Sequence, residues 1–510
     1  MRSKKVLINS VFGMVGYLIF MVSNFITRSV FVESLGLSMA GVDTTFKNFL
    51  QVLSLAELGL STGLIYKLYK PIEQKDNKQI KMVLNFYKRA YQIIAVIFMG
   101  GAFILAAIVP LFVHDTDKTP LYLGFLFVLY ASDTVASYLF ANRKALIVAD
   151  QNNYLVNRND AFVSVVTTVA QVVLLYLTKS FIIYALVKIV CRLIGAALIG
   201  RKFNKLYPHI ATDKDKSIIS GEERRALMKN MSAMLCHKIG GVSVTASGSA
   251  VISAMISTVQ AGIYGNYVLI TNTLLMLITQ VFGGITASFG NVLTVETQET
   301  VYKKFNMLYF FNYLIISFCT VSVSVLIQPF MRLWIGDEAQ NLFDSKTVAL
   351  LVCYFFVFGM RRVILMTKDS AGLYRPDRYF AIAEAVINIL LSVVLVSVTK
   401  SVAGLIAANL ISILIIPFWT QPILVYKKVL NQSPVAYYSK YALYTVITFF
   451  LTLFTLWLTN VLVNTQNLLL EILFKGIICL IVPNLLNLFV FSKTEEIKAI
   501  AVMLKGIVRR

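Results

Sequence analysis

Charge is scarce in this chain, and negative charge is the scarcest kind. Only 14% of its 510 residues are charged, with 25 Asp and Glu against 47 Lys and Arg. Soluble globular domains carry about 25% charged residues, so a fold surrounded by water is excluded on composition. Five cysteines (Cys191, Cys236, Cys319, Cys353, Cys479) all fall in apolar runs without a CxxC spacing. They read as small buried hydrophobes, not as a disulfide frame or a metal cage. The three histidines (His114, His209, His237) are scattered and there is no HExxH, which leaves no metal site to propose. No GxxxxGK[ST] loop is present, so ATP hydrolysis by this chain is excluded. The strict polar–apolar alternation of a membrane barrel is missing too. The outer connections, such as VHDTDK and LWIGDEAQNLFDSK, are too small to shape a catalytic pocket. Neither catalytic residues nor a cofactor is expected.

What fills the chain is long apolar runs: 58% of it is hydrophobic. The expected class is an all-α polytopic membrane protein. Fourteen spans are predicted, at roughly 6–32, 43–66, 87–113, 120–142, 159–178, 181–200, 230–256, 262–290, 306–328, 347–367, 379–398, 401–426, 439–463 and 468–492. The first run continues past about 20 residues, as a span does and a removable signal peptide does not. With the amino terminus placed in the cytoplasm, only Lys118, Lys179, Arg332, Lys346 and Lys400 of the 47 basic residues fall in outer loops. Arg28, Lys47, Lys188, Arg192, Lys238 and Lys475 fall within spans, and all the others lie at inner span ends and inner loops. This is the positive-inside pattern, with both termini cytoplasmic. The net charge of +22 therefore reports topology and contact with anionic membrane lipid, not nucleic-acid binding.

Two longer cytoplasmic loops, 67–86 and 201–229, punctuate the chain. The second divides it into an N-terminal six-helix lobe over 1–204, a linker over 205–229, a C-terminal six-helix lobe over 230–428, and helices 13–14 with a cytoplasmic tail over 429–510. FKNFLQVLSLAELGLSTG (Phe46–Gly63) overlays TNTLLMLITQVFGGITAS (Thr271–Ser288) at an offset of 225, with Gly59 opposite Gly284. An even number of spans separates the copies, so the repeat is parallel, related by an axis along the membrane normal. Small residues crowd span seven in GGVSVTASGSA (Gly240–Ala250) and span eight at Gly283, Gly284, Ala287, Ser288 and Gly290. They suit either close helix packing or a bendable helix beside a cavity.

Charges inside spans are costly and survive mainly where they meet water or a partner. Arg28 and Lys47 have no obvious neighbouring partner within their spans, which favours a role facing an anion. Lys188 and Arg192, four apart, share a helix face and either line the cavity, neutralise Asp133 or snorkel. His237 and Lys238 lie in the inner part of span seven, where Lys238 either faces the cavity or snorkels. Glu471 and Lys475 are spaced for a local ion pair. Glu57, Asp133, Asp150 and Glu384 are the acidic candidates for a gate or for ion coupling, with Asp150 and Glu57 equally suited to capping or latching. Span eight is poor in charge, with Asn266 and Asn272 standing there.

The chain resembles the Wzx-like lipid-linked oligosaccharide flippases of the multidrug/oligosaccharidyl-lipid/polysaccharide (MOP) superfamily. The likeness rests on FITRSVFVESLG followed by LSLAELGLSTGLIYKLYKPI, on NRKALIVADQNNYL, on QPFMRLWIGDE, on AGLYRPDRYFAIAEAVINILLSVVLV and on IPFWTQPILVYKKV, in that order. Ala56-Glu57-Leu58-Gly59 and Ala149-Asp150-Gln151 are the most specific segments. The resemblance implies two six-helix bundles around a central cavity, two appended helices, and alternating access without enzymatic chemistry. It implies a polyprenyl-pyrophosphate-linked glycan as substrate, the bacterial cell membrane as location, and other polysaccharide-assembly proteins as partners. The basic residues Arg28, Lys47 and Lys238 then carry the anion-binding role, with His237, Lys188 and Arg192 beside them. A drug or cation antiporter of the MATE type would want cavity carboxylates instead, and a polysaccharide polymerase or ligase would want a large catalytic outer loop. A scaffold of a glycan-assembly complex that transports nothing is a further alternative. The glycan and any coupling ion stay open.

Overall fold

The computed structural model describes residues 2–57, 60–113, 116–212, 215, 217–221, 225, 247–336 and 342–498, and no strand occurs among them. Twelve helices among the described residues are long and apolar enough to cross a membrane. Two of the fourteen predicted spans account for the difference in number. Spans one and two run on as one helical stretch, α1 (Arg2–Leu53), and much of span seven lies outside the described residues.

A 52-residue helix is about 78 Å long at 1.5 Å per residue, far more than the roughly 30 Å hydrocarbon core. α1 is therefore two helices, turned at Gly36, whose φ of 79° and ψ of 171° only glycine adopts without strain. The predicted spans end at 32 and resume at 43; one glycine makes the turn between them, so the residues on either side keep their helical bonds. Span two is itself interrupted, because α1 gives way to a 3₁₀ turn at Ser54–Glu57 before α2 (Leu60–Glu73) begins.

The contacts divide the chain into two compact units, Met1–Gly262 and Ile263–Arg510. The dividing point is later than the 205–229 linker, because the helical residues 247–255 (α9) and the turn after them belong with α1. Ideal Cβ atoms show how close that approach is. One built on Gly41 would lie 1.8 Å from the Thr258 carbonyl oxygen, and one on Gly262 would lie 2.4 Å from that of Leu37. Only glycine permits backbones to cross this closely.

The first unit continues with α3 (Asn77–Ile108), α4 (Pro120–Tyr138), α5 (Ala141–Ala149), α6 (Asn153–Thr178), α7 (Phe181–Leu206) and the short α8 (Pro208–Thr212). The starts of α3, α4 and α7 are capped by Asp76, Thr119 and Ser180, whose side chains accept the amides of Gln79, Tyr122 and Ile183. α1 packs on α6, α4 packs on α3 and α7, and α2 packs on α5. Phe31, Phe46, Phe127, Tyr130, Phe181 and Tyr184 fill the centre edge to face.

The second unit holds most of α10 (Thr258–Val295), then α11 (Gln298–Ile335), α12 (Ser345–Met360), α13 (Arg362–Ser370), α14 (Tyr374–Thr399), α15 (Val402–Ile415) and α16 (Pro417–Val425). A π turn at Tyr426–Leu430 leads to α17 (Val435–Leu462) and α18 (Leu468–Phe491). Both final helices pack on α11 through a tyrosine-rich seam. Tyr313 and Tyr444 stack there at 4.1 Å, and the Tyr313 hydroxyl donates to Asn487 at 2.7 Å. Glu471 and Lys475 of α18 form the local pair their spacing predicts, at 2.7 Å.

The repeat is visible in the order of elements. Asn77 and Gln298, Ala141 and Arg362, Asn153 and Tyr374, and Phe181 and Val402 all begin helices 221 residues apart. Lys179 and Lys400 both end theirs in the left-handed conformation, at φ 48° and 49°. The offset of 225 read from apolar side chains fits only the starts of α4 and α12, Pro120 and Ser345. Apolar helices match one another at many registers; caps and chain reversals do not.

Candidate functional site

Three helices of the first unit run alongside one another from the Gly36 turn, Pro120 and Phe181. On the second half of α1, Asp43 and Lys47 are four apart; on α4, Tyr130 and Asp133 are three apart; on α7, Tyr184, Lys188 and Arg192 follow at four-residue steps. Each set shares a helix face. All lie within about 20 Å of the helix starts, inside the depth of a hydrocarbon core.

Asp43 is the hub. Its Oδ2 accepts Arg28 Nη1 at 3.0 Å and Lys47 Nζ at 2.7 Å, and its Oδ1 accepts the Tyr130 hydroxyl at 2.8 Å. Arg28 is buried and spends its other donors on the carbonyls of Ala40 (3.2 Å) and Gly262 (3.1 Å) and on Thr44 Oγ1 (3.2 Å). Beside this group, Asp133 accepts both Lys188 Nζ at 3.1 Å and a two-pronged contact from Arg192, whose Nη2 lies 3.0 Å from Oδ2. The Lys188 ammonium stands 5.6 Å from the Tyr130 ring, so that one tyrosine touches both groups. Four cations thus meet two carboxylates, leaving a surplus of two positive charges. The carboxylates are enclosed, while the side chains of Lys47, Lys188 and Arg192 keep 51%, 34% and 40% of their surface exposed.

Two expectations change here. Arg28 and Lys47 do have a partner, and Asp43 escaped notice because it stands at the predicted start of span two, where a carboxylate reads as interfacial. Its i,i+4 spacing to Lys47 was the available signal. The Arg28 guanidinium, consumed by four acceptors, is not presented to an anion. Lys188 and Arg192 do neutralise Asp133, one of the readings left open, yet outnumber it.

The remaining candidates are dispersed. Glu57 lies on the 3₁₀ turn beside the Tyr138 hydroxyl. Asp150 ends α5, and accepts the Tyr207 hydroxyl at 2.8 Å and the Asn152 amide at 2.9 Å, tying the α5–α6 turn to the end of α7. Burial, then this carboxylate, pushes the Tyr207 hydroxyl well above its ordinary pKa. Glu384 on α14 faces Arg361 at 3.5 Å, and Arg361 also donates to Gln421 at 3.2 Å. Lys368 and Asp377 form a fully enclosed pair between α13 and α14. Arg361, Lys368 and Asp377 were missed because the sequence assigned them to the inner ends of spans. His237 and Lys238 lie outside the described residues. Among the described residues, no three His, Cys, Asp or Glu side chains gather as a metal cage requires.

No family model matches the sequence, and no curated protein matches it. Solved structures do. A lipid II flippase, MurJ, in an inward closed conformation aligns over 95% of this chain and 99% of its own, with a TM-score of 0.63 at 14% identity. An inward-facing multidrug resistance MATE family transporter of the MOP superfamily aligns over 80% of this chain and 97% of its own, with a TM-score of 0.56 at 13% identity. A MOP superfamily transporter from Pyrococcus furiosus, described as having a binding pocket of reverse polarity, aligns over 84% and 97%, with a TM-score of 0.52 at 13% identity. This chain is thus a polytopic membrane protein with the fold shared by MOP superfamily transporters and flippases.

Proposed function

We propose that the protein is a flippase that carries a polyprenyl-diphosphate-linked oligosaccharide from the cytoplasmic to the outer leaflet of a bacterial cell membrane, for cell-envelope polysaccharide synthesis. The observation that carries this reading is the surplus of exposed cation around Asp43 and Asp133. A diphosphate diester bears two negative charges at neutral pH, the complement of the group's net charge. A glycan head of that kind crosses hydrocarbon only where water and counter-charge accompany it. Lys47, Lys188 and Arg192 are the side chains with exposed surface to offer, and Tyr130 holds the two halves of the group in register. The glycan recognition itself, the partner proteins of an assembly pathway and the cytoplasmic position of both termini belong to the same proposal. The fit over nearly the whole chain to a lipid II flippase supports it. A MATE-like drug antiporter shares the fold, but both carboxylates of this site already carry cations and have none left over for a cationic drug.

The test is reconstitution in vesicles with a fluorescent polyprenyl-diphosphate sugar, scored for label reaching the opposite leaflet. Transport is expected in the unaltered protein. Lys47→Gln with Lys188→Gln should cut the rate about tenfold or more with normal abundance, because two of the three exposed cations go while Asp43 keeps Arg28 and Tyr130 and Asp133 keeps Arg192. Transport of cationic dyes with no movement of the lipid would replace this reading with the antiporter.

A further inference from the structure

Resting on that reading, the geometry around Asp43 points to a role that neither Arg28 nor Lys47 has alone. We propose that Asp43 is a resident counter-ion that holds Lys47 while the site is empty and yields it to the incoming diphosphate, and that Arg28 and Tyr130 are positioning residues that make the exchange possible. Three donors converge on one carboxylate that is 2% exposed, and they differ in freedom. Arg28 is 8% exposed and fixed at four acceptors in a planar fork. Tyr130 is buried, and its ring packs on Phe46 and Phe181. Of the three, Lys47 alone is half exposed, a compact charge on a flexible stem, with Asp43 as its single hydrogen-bond partner among the described residues. When Lys47 swings to an anion, Asp43 keeps an arginine and a hydroxyl and is not left as an unpaired buried charge. Losing that last compensation is what makes buried carboxylates expensive. Had Asp43 met Lys47 only, release would strand it. Among the described residues, the charged groups facing this exchange from the neighbouring helices are Lys188, Arg192 and Asp133, and the first two meet the anion beside Lys47.

The competition predicts effects of opposite sign. The purified full-length protein in detergent is titrated calorimetrically with farnesyl diphosphate, with farnesol as the uncharged control. Lys47→Gln should weaken diphosphate binding about tenfold. Asp43→Asn should tighten it several-fold, and that gain should shrink markedly when Lys47→Gln is already present. Tyr130→Phe keeps the ring under Lys188 but removes one donor from Asp43, so the carboxylate grips Lys47 harder and binding weakens about threefold. That loss too should vanish in the Lys47→Gln background. If Asp43→Asn leaves Arg28 unpaired and the protein does not fold, the Tyr130→Phe cycle carries the test alone. Equal effects with and without Lys47, or no effect of Tyr130→Phe, overturn the exchange while leaving the cationic site standing. Should diphosphate bind no better than farnesol, or Lys47→Gln, Lys188→Gln and Arg192→Gln all bind normally, the functional reading itself falls.

Discussion

At the scale of single residues, Arg28 and Lys47 share a carboxylate and differ in almost everything else. Arg28 is enclosed, so Arg28→Ala leaves the buried Asp43 with one half-exposed lysine and the Tyr130 hydroxyl, empties the space of the guanidinium and takes away the clamp on the Gly262 carbonyl. A loss of about 3–5 kcal/mol is expected, read as lower abundance and an earlier melting midpoint in detergent. Lys47→Ala leaves Asp43 with Arg28 and Tyr130 and exposes nothing new, so the stability change should stay under about 1 kcal/mol while transport drops. A melting midpoint lowered equally by both substitutions would show that the two cations are structurally equivalent. The sequence alone makes them look alike, as two basic residues in adjacent spans; burial separates them.

At the scale of elements, the 221-residue repeat supplies its own controls. Lys368 and Asp377, the enclosed pair joining α13 to α14, fall at the positions of Ile147 and Val156 in the first unit, where both are buried. One unit therefore closes this helix junction with hydrocarbon and the other with an ion pair. Replacing either partner alone should destabilise by about 3–5 kcal/mol, whereas Lys368→Ile with Asp377→Val should be close to neutral. A double variant as unstable as the singles would mean that the pair does more than fill the junction. A helix start makes a second case. Asp344 caps α12, accepting the hydroxyl and the amide of Thr347, and these two donors hold its carboxyl below the usual range. A lowered pKa in the folded state means stabilisation that is full above the ordinary carboxylate value and is lost as pH falls through the lowered one. Asp344→Ala should therefore cost about 1 kcal/mol at neutral pH and progressively less in acid, measured by melting across pH.

At the scale of the whole molecule, topology is the strongest remaining expectation. Twelve candidate spans occur among the described residues, and the proposed topology counts fourteen crossings, two of them in α1. An even number would return the carboxyl terminus to the side of the amino terminus, and the proposal takes that side as the cytoplasm from the distribution of basic residues. Reporters fused at each end, one fluorescent only in the cytoplasm and one enzymatically active only outside, should both score cytoplasmic. Opposite scores for the two ends would make the number of crossings odd.

The membrane class and the approximate position of the long helices were legible in the sequence. They follow from a local quantity, the length of an apolar run. So were the helix-spaced pairs, Glu471 with Lys475 and Lys188 with Arg192, because four residues always bring side chains onto one face. Tertiary structure alone decided which charges meet across helices. Arg28 finds Asp43 only because Gly36 turns the chain back on itself, and Asp133 gathers two cations only because α4 lies against α7. Those pairings depend on how far the chain doubles back and which faces are pressed together, and neither is written in any one stretch of residues.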